Sequence, residues 1–179
     1  MGKRAVYLDR DGVINEVLTK RVTFVNHPDD FYLLHGVGPS IKRFNELGYY
    51  VFVVTNQGGI GLGYMTEAEL TRVHEKMIAE LAAYGAEIHA IAYCPHKPDA
   101  GCSCRKPSAK MINDLARQYN VDLATSYMIG DRDVDITAGK NAGLTTILIG
   151  KREKTSKKAD LKFSDLTDVA DYLTDQAHR

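Results

Sequence analysis

The chain has 179 residues, in which 23 lysines and arginines balance 23 aspartates and glutamates to a formal net charge of zero. That balance excludes a general attraction to nucleic acid or to an anionic membrane surface, so any binding has to come from a local site. The length suits one compact domain, expected over 1–179, and apolar runs such as 49–54 fall far short of the roughly 18 residues that cross a bilayer. The first residues lack the apolar core and cleavage pattern of a signal peptide, which predicts a cytoplasmic protein, expected as a monomer.

The first predicted strand, 5–9, ends in Asp9-Arg10-Asp11-Gly12. With a side-chain period of two, Asp9 and Asp11 leave it on the same side and Arg10 points away, while Gly12 lets the backbone come close to a ligand. Two carboxylates in one pocket suit a nucleophile and a partly protonated general acid. A helix follows over about 36–48, with Ile41, Phe44 and Leu47 at helical spacing before Gly48. The second strand, 50–55, delivers Thr55-Asn56-Gln57 and then Gly58, Gly59, Gly61 and Gly63. A hydroxyl and exposed amides there can hold phosphate oxygens, but no Gly-Lys-Ser/Thr follows, so this is not a nucleoside-triphosphate loop.

Thr66-x-x-Glu69 is a capping box that opens the next helix, with Leu70, Val73, Met77, Leu81 and Tyr84 on its buried stripe. A strand is predicted over 88–94, a helix capped by Ser108 with Met111, Ile112, Leu115 and Tyr119, a strand over 126–131, a helix from about Asp133 to Ala142, and a strand over 145–150. The basic run 151–162 is expected to be a solvated loop. Strand and helix alternate throughout, which predicts an α/β fold: a doubly wound, mostly parallel sheet with ligands beyond the carboxyl ends of its strands. Asp131 at the end of the fourth strand is the expected metal ligand, with Asp135 supporting it from behind; acids here also serve the helix dipole.

All three cysteines lie in one short loop with His96, as Cys94-x-His96 and Cys102-x-Cys104. Three thiols and an imidazole form a closed tetrahedral zinc set, and the prolines and Gly101 among them argue against cysteines that merely fill core. The loop runs directly into Arg105-Lys106-Pro107. A phosphate monoester brought against Asp9 and Asp131 concentrates negative charge, which Mg²⁺ and one fixed ammonium would offset; Lys106 is that ammonium, and zinc would fix where it projects.

The segments DRDGV, TNQ, CRKP and GDRDVD stand in the order of the four motifs of the haloacid dehalogenase (HAD) superfamily, over residues 9–135. The fuller pattern, with the cysteine loop, resembles the subgroup of heptose bisphosphate phosphatases and the related histidinol-phosphate phosphatases. The resemblance implies a Rossmann-like HAD fold without a large cap domain, and a small phosphate ester as substrate. It also implies Asp9 as the nucleophile that becomes an aspartyl-phosphate, Asp11 as acid and then base, Thr55 and Lys106 as phosphoryl contacts, and Mg²⁺ between Asp9, the Asp11 carbonyl and Asp131. Asn56, Gln57, Arg105 and Arg132 would face the substrate, and the loops at about 14–30 and 94–107 would wall the pocket. The alternatives are a histidinol-phosphate phosphatase, a polynucleotide 3′-phosphatase, which zero net charge disfavours, a receiver-like phosphoacceptor domain, for which no zinc loop is expected, and a zinc-stabilised binding module, which leaves the three acids without a purpose.

Overall fold

Four consecutive buried residues, Ala5–Leu8, form β1, and their side chains divide between two cores. In the computed structural model, which describes residues 2–150, 152 and 159–179, Val6 and Leu8 face one layer and Ala5 and Tyr7 the other. A strand buried on both faces has no polar side, which is why β1 reads as an unbroken apolar run. The same period of two runs through β2 (Tyr50–Asn56), where Val51 and Val53 join the first core and Phe52 and Val54 the second.

The chain continues as α1 (Val37–Glu46) before β2, then α2 (Glu67–Ala82), β3 (Ala90–Cys94), α3 (Lys110–Tyr119), β4 (Tyr127–Gly130), α4 (Asp133–Ala142), β5 (Thr145–Ile149), β6 (Leu161–Phe163) and α5 (Leu166–Ala177). The six strands are parallel in the order β3-β2-β1-β4-β5-β6. Ile41 and Phe44 of α1, Met77 and Leu81 of α2 and Val169 and Leu173 of α5 pack on one face; Met111, Ile112 and Leu115 of α3 and Ala138 of α4 pack on the other. Helices therefore cover both faces, as expected of a doubly wound sheet. Each of these Val, Leu, Ile, Phe and Met side chains contributes about 1.5–3 kcal/mol when fully buried, relative to exposure. Strand order reverses between β1 and β4, and the crevice at that reversal is where open α/β sheets bind ligands.

Several boundaries move. β1 stops at Leu8, so Asp9 is the first residue beyond it, and β3 begins at Ala90. The capping box at Thr66 forms as expected, but α2 ends at Ala82, which leaves Tyr84 half-exposed beyond the helix instead of on its buried stripe. Ser108 caps only loosely: its hydroxyl accepts from the Lys110 amide at 3.1 Å, and α3 starts one residue further on than a cap at Ser108 requires, with Ala109 at the cap position. The basic run is not simply a solvated loop, because Leu161 and Lys162 belong to β6, where Leu161 and Phe163 pack against the first core. Residues 151 and 153–158 of that run lie outside the described residues. α5 was not anticipated, although Asp165 caps it through the amides of Thr167 and Asp168. Among the described residues, no helix is long and apolar enough to cross a membrane.

Candidate active site

Asp9 leaves β1 and Asp131 leaves β4, so the two strands at the reversal deliver carboxylates to one place, and Asp135 joins them from the first turn of α4. One oxygen from each of the three lies within 4.8 Å of the others, and all three residues are buried. Lys106, only 2 % exposed, enters from the cysteine loop. Its Nζ donates to Asp9 Oδ1 at 2.9 Å, to Asp135 Oδ1 at 2.7 Å and to the Val54 carbonyl at 2.7 Å. Burial opposes the lysine's charge, but Asp135 and Asp9 outweigh it and raise its pKa. Burial, then Asp135, push Asp9 up to about 8 against the pull of Lys106, with Asp131 and Asp11 adding to the rise. Burial and Asp135 push Asp131 up to about 6.

Three clustered acids against one ammonium leave negative charge in excess. The Asp135 carboxylate is fully engaged: Oδ1 by Lys106, and Oδ2 by the amides of Asp131 at 3.2 Å and Arg132 at 3.1 Å. Asp131 Oδ1, by contrast, is buried with no hydrogen-bond partner among the described residues. An orphaned buried carboxylate oxygen beside a second carboxylate is a hard-oxygen donor set, and it fits Mg²⁺.

Gly12 makes this closeness possible. Its φ is +87°, and a Cβ there would lie 2.0 Å from Asp131 Oδ2. Gly12→Ala is therefore expected to drive the Asp11 turn and Asp131 apart and to lower turnover about 10²-fold, the cost of misplacing reacting groups by about 1 Å. Steady-state kinetics with a thermal melt beside it separate this from unfolding.

Asp11 does not simply share a strand face with Asp9. The strand has ended, and the amides of Val13, Ile14 and Asn15 all turn back onto the Arg10 carbonyl. Arg10, expected to point away, is wholly buried and donates to Asp11 Oδ1 from Nε at 3.0 Å and from Nη2 at 2.8 Å. Asn15 Nδ2 reaches the same oxygen at 3.0 Å, and Gln57 Nε2 reaches Oδ2 at 3.2 Å. Burial favours the neutral acid, but Arg10, Asn15 and Gln57 overcome it and hold the Asp11 pKa below the usual carboxylate value, so Asp11 is not kept partly protonated as expected. Behind Arg10, His74 of α2 meets Nη1 through Nε2 at 3.1 Å; burial and then Arg10 push its pKa down to about 3.

Thr55 is buried, and its hydroxyl accepts from Gln57 Nε2 at 2.8 Å. Asn56 and Gln57 line the cleft. Their side-chain hydrogen bonds run to the protein: Asn56 clamps the Lys106 peptide, accepting from its N–H at 2.9 Å and donating to its carbonyl at 3.1 Å, while Gln57 braces Asp11 and Thr55. The glycine loop is occupied too. Gly61 N–H donates to the Pro95 carbonyl at 2.9 Å, and a Cβ on Gly61 would lie 2.6 Å from the Lys97 nitrogen, so its lack of a side chain serves packing against the cysteine loop.

In that loop the Cys94, His96, Cys102 and Cys104 ligand atoms all lie within 4.8 Å of one another, with no disulfide. Neighbouring separations run from 3.0 to 3.5 Å. Zn–S bonds of about 2.3 Å put the corners of a tetrahedron ~3.8 Å apart, so a small relaxation fits this set to zinc.

Both anticipated walls line the cleft: Val17, Phe24, Val25 and Asn26 on one side, Pro98, Arg105 and Lys106 on the other, with Arg132 at the start of α4. Gly58, Gly59, Leu62, Tyr64 and Met65 add a third wall. Arg152, like His74, is a residue that sequence reasoning missed. Its Nη1 lies 3.3 Å from both the Asp11 carbonyl and Asp131 Oδ2, and nothing in a basic run singles out one arginine.

A HAD-hydrolase-like family model matches residues 103–176. The D-glycero-beta-D-manno-heptose-1,7-bisphosphate 7-phosphatase of Haemophilus ducreyi is 38% identical over 185 residues, covering 97% of this chain and 100% of its own. Its namesake in Bordetella bronchiseptica is 38% identical over 181 residues, covering 97% and 99%. The crystal structure of the D,D-heptose 1,7-bisphosphate phosphatase from B. bronchiseptica, complexed with magnesium and phosphate, superposes with a TM-score of 0.87 at 35% identity, over 97% of this chain and 99% of that one.

Proposed function

The chain belongs to the family of D-glycero-D-manno-heptose-1,7-bisphosphate 7-phosphatases, HAD-like phosphoric monoester hydrolases, and from that membership we propose that it removes the 7-phosphate of the heptose bisphosphate through an aspartyl-phosphate on Asp9. The observation that carries this reading is the meeting of Asp9, Asp131 and Lys106 at the strand-order reversal, with the lysine ammonium 2.9 Å from Asp9.

In the first step an Asp9 oxygen attacks phosphorus, the P–O bond to carbon 7 breaks, and its electron pair leaves on the alkoxide. Lys106 holds Asp9 Oδ1, leaving Oδ2 to attack. Asp11 gives the alkoxide a proton. It has acquired that proton as the ester binds, because close to two negative charges brought beside it raise its proton affinity. In the second step Asp11, now a carboxylate, takes a proton from water. The oxygen of that water attacks phosphorus, and orthophosphate leaves Asp9 free. Thr55 and Lys106 steady the phosphoryl oxygens, and Arg105 and Arg132 face the second phosphate. Mg²⁺, when bound by Asp9, the Asp11 carbonyl and Asp131, supplies positive charge for the transferring group. Zinc on the four Cys and His ligands is structural. The enzyme is read as a single-domain cytoplasmic monomer.

Arg152 bears on the metal, because its guanidinium lies against the Asp11 carbonyl assigned to Mg²⁺ and against Oδ2 of the Asp131 carboxylate whose Oδ1 is free for the ion. Arg152→Ala is expected to lower the Mg²⁺ concentration at half-maximal turnover by up to about 10-fold, equivalent to ~1.4 kcal/mol; an unchanged or raised requirement goes against competition for those atoms. The substrate is tested by comparing kcat/KM for both anomers of the heptose 1,7-bisphosphate with that for histidinol phosphate. The heptose ester is expected to win by orders of magnitude. A preference for histidinol phosphate would move the chain to the other substrate.

A further inference from the structure

We infer that Arg10, oriented from α2 by His74, fixes the Asp11 carboxylate so that only Oδ2 is left to exchange a proton with the leaving oxygen; this rests on the reading of Asp11 as acid and base given above. A guanidinium is a flat, rigid fork that only donates. His74 Nε2, at 3.1 Å from Arg10 Nη1, must therefore be the acceptor, with the ring hydrogen on Nδ1. Gln57 Oε1 accepts from Nη2 at 3.3 Å. With those two points held, the plane of the fork is set, and its Nε and Nη2 hydrogens converge on Asp11 Oδ1.

Asn15 adds a third donor to that oxygen. An oxygen receiving three N–H hydrogens has no lone pair left for a proton, and a hydroxyl there would face the donors' hydrogens. Oδ2 receives Gln57 Nε2 alone among the described contacts, at 3.2 Å. The Asp11 side chain keeps 23% of its surface exposed, while that of Arg10 has none, so the buried fork holds the carboxylate from behind and leaves its outer oxygen toward the cleft. A charge partner alone would not need the contacts to His74 and Gln57. They determine orientation.

A group that protonates a leaving alkoxide matters in proportion to how poor the leaving group is. For this two-step reaction kcat/KM covers events up to departure of the alcohol, so later hydrolysis of the aspartyl-phosphate does not enter. The Mg²⁺-loaded enzyme is assayed on phosphate monoesters graded from nitrophenyl to alkyl. The unmodified enzyme is expected to show a shallow dependence on leaving-group pKa. His74→Leu and Arg10→Lys are expected to lose about 10-fold or more on alkyl esters and less than about 3-fold on nitrophenyl esters, part of the 10²–10⁴ that a general acid contributes. His74→Gln, whose amide oxygen can accept from Arg10, is expected to keep the shallow slope. Equal losses on every ester in His74→Leu and Arg10→Lys, or a His74→Gln slope as steep as that of His74→Leu, overturn the inference and leave a structural staple. Asp11→Asn separates the two levels. If its slope is also shallow, the acid role of Asp11 falls and this inference with it; if it is steep while His74→Leu and Arg10→Lys are shallow, this inference alone falls.

Discussion

Asp9→Asn is expected to abolish Mg²⁺-dependent phosphate release, with kcat reduced by about 10⁴-fold or more, the scale seen when a nucleophile is removed from a catalytic unit. An amide oxygen can still accept from Lys106, so the contact at 2.9 Å has a replacement. What disappears is the carboxylate that attacks phosphorus. The fold should tolerate the change. Asp9 is buried beside Asp131 and Asp135, and burial and those like charges are what push its pKa up to about 8. Removing one of three clustered negative charges relieves repulsion, so the metal-free melting temperature is expected to hold or rise. Turnover and melting measured on the same preparation give the result directly: an inactive but equally stable variant supports the nucleophile role, and substantial residual turnover removes Asp9 from it.

Cys102→Ala is expected to have the second-largest effect, on stability more than on chemistry. The loop from Pro95 to Arg105 contains, among the described backbone contacts, one internal hydrogen bond, from Ala100 N–H to the Lys97 carbonyl at 3.1 Å. Apart from Cys94 at its root, its residues are exposed or only half-buried, so apolar packing does not order it. Fixing eleven residues costs on the order of 10–20 kcal/mol of backbone entropy. Structural zinc in small domains contributes about 10–16 kcal/mol, which is comparable. The unmodified protein is therefore expected to carry one zinc per chain, and Cys102→Ala to lose it together with several degrees of melting temperature. Activity should fall about 10²-fold without vanishing, because Asn56 clamps the Lys106 peptide from β2 independently of the loop. Metal content by mass spectrometry, melting and kinetics are read together. Full zinc retention in the variant, or no zinc in the unmodified protein, contradicts the account of the loop.

The site acids were legible because they stand at strand ends, where an alternating α/β pattern puts ligands whatever the details of packing. Asp9 and Asp131 converge for that reason; Asp135 joins them from the first turn of α4 and Lys106 from the cysteine loop, whose Cys and His spacing carries its own chemistry. Arg10 was misplaced because alternation holds only inside a strand, and β1 stops at Leu8. Once the chain turns, neighbouring side chains can meet, as Arg10 and Asp11 do. His74 left a signal: it shares the buried stripe of α2 with Leu70, Val73 and Met77, where a polar side chain needs a partner. α5 also left one, in Asp165 followed by Leu166, Val169, Ala170 and Leu173 at helical spacing. β6 left little, since three residues with Lys162 exposed between two half-buried apolar side chains are too few for a period. The glycine loop misled for a different reason: glycine is needed equally where a backbone meets phosphate and where it meets another backbone, and Gly61 meets Lys97.

The most direct measurement is chemical trapping of the intermediate. The enzyme is mixed with substrate and Mg²⁺, quenched in acid and reduced with borohydride, which converts an acyl phosphate, but not a free carboxylate, to an alcohol; peptide mass spectrometry then locates the converted residue. The account predicts a homoserine at position 9, formed only when both substrate and metal are present and absent from Asp9→Asn. Conversion at Asp11 instead, or none at any residue under conditions of rapid turnover, would contradict it.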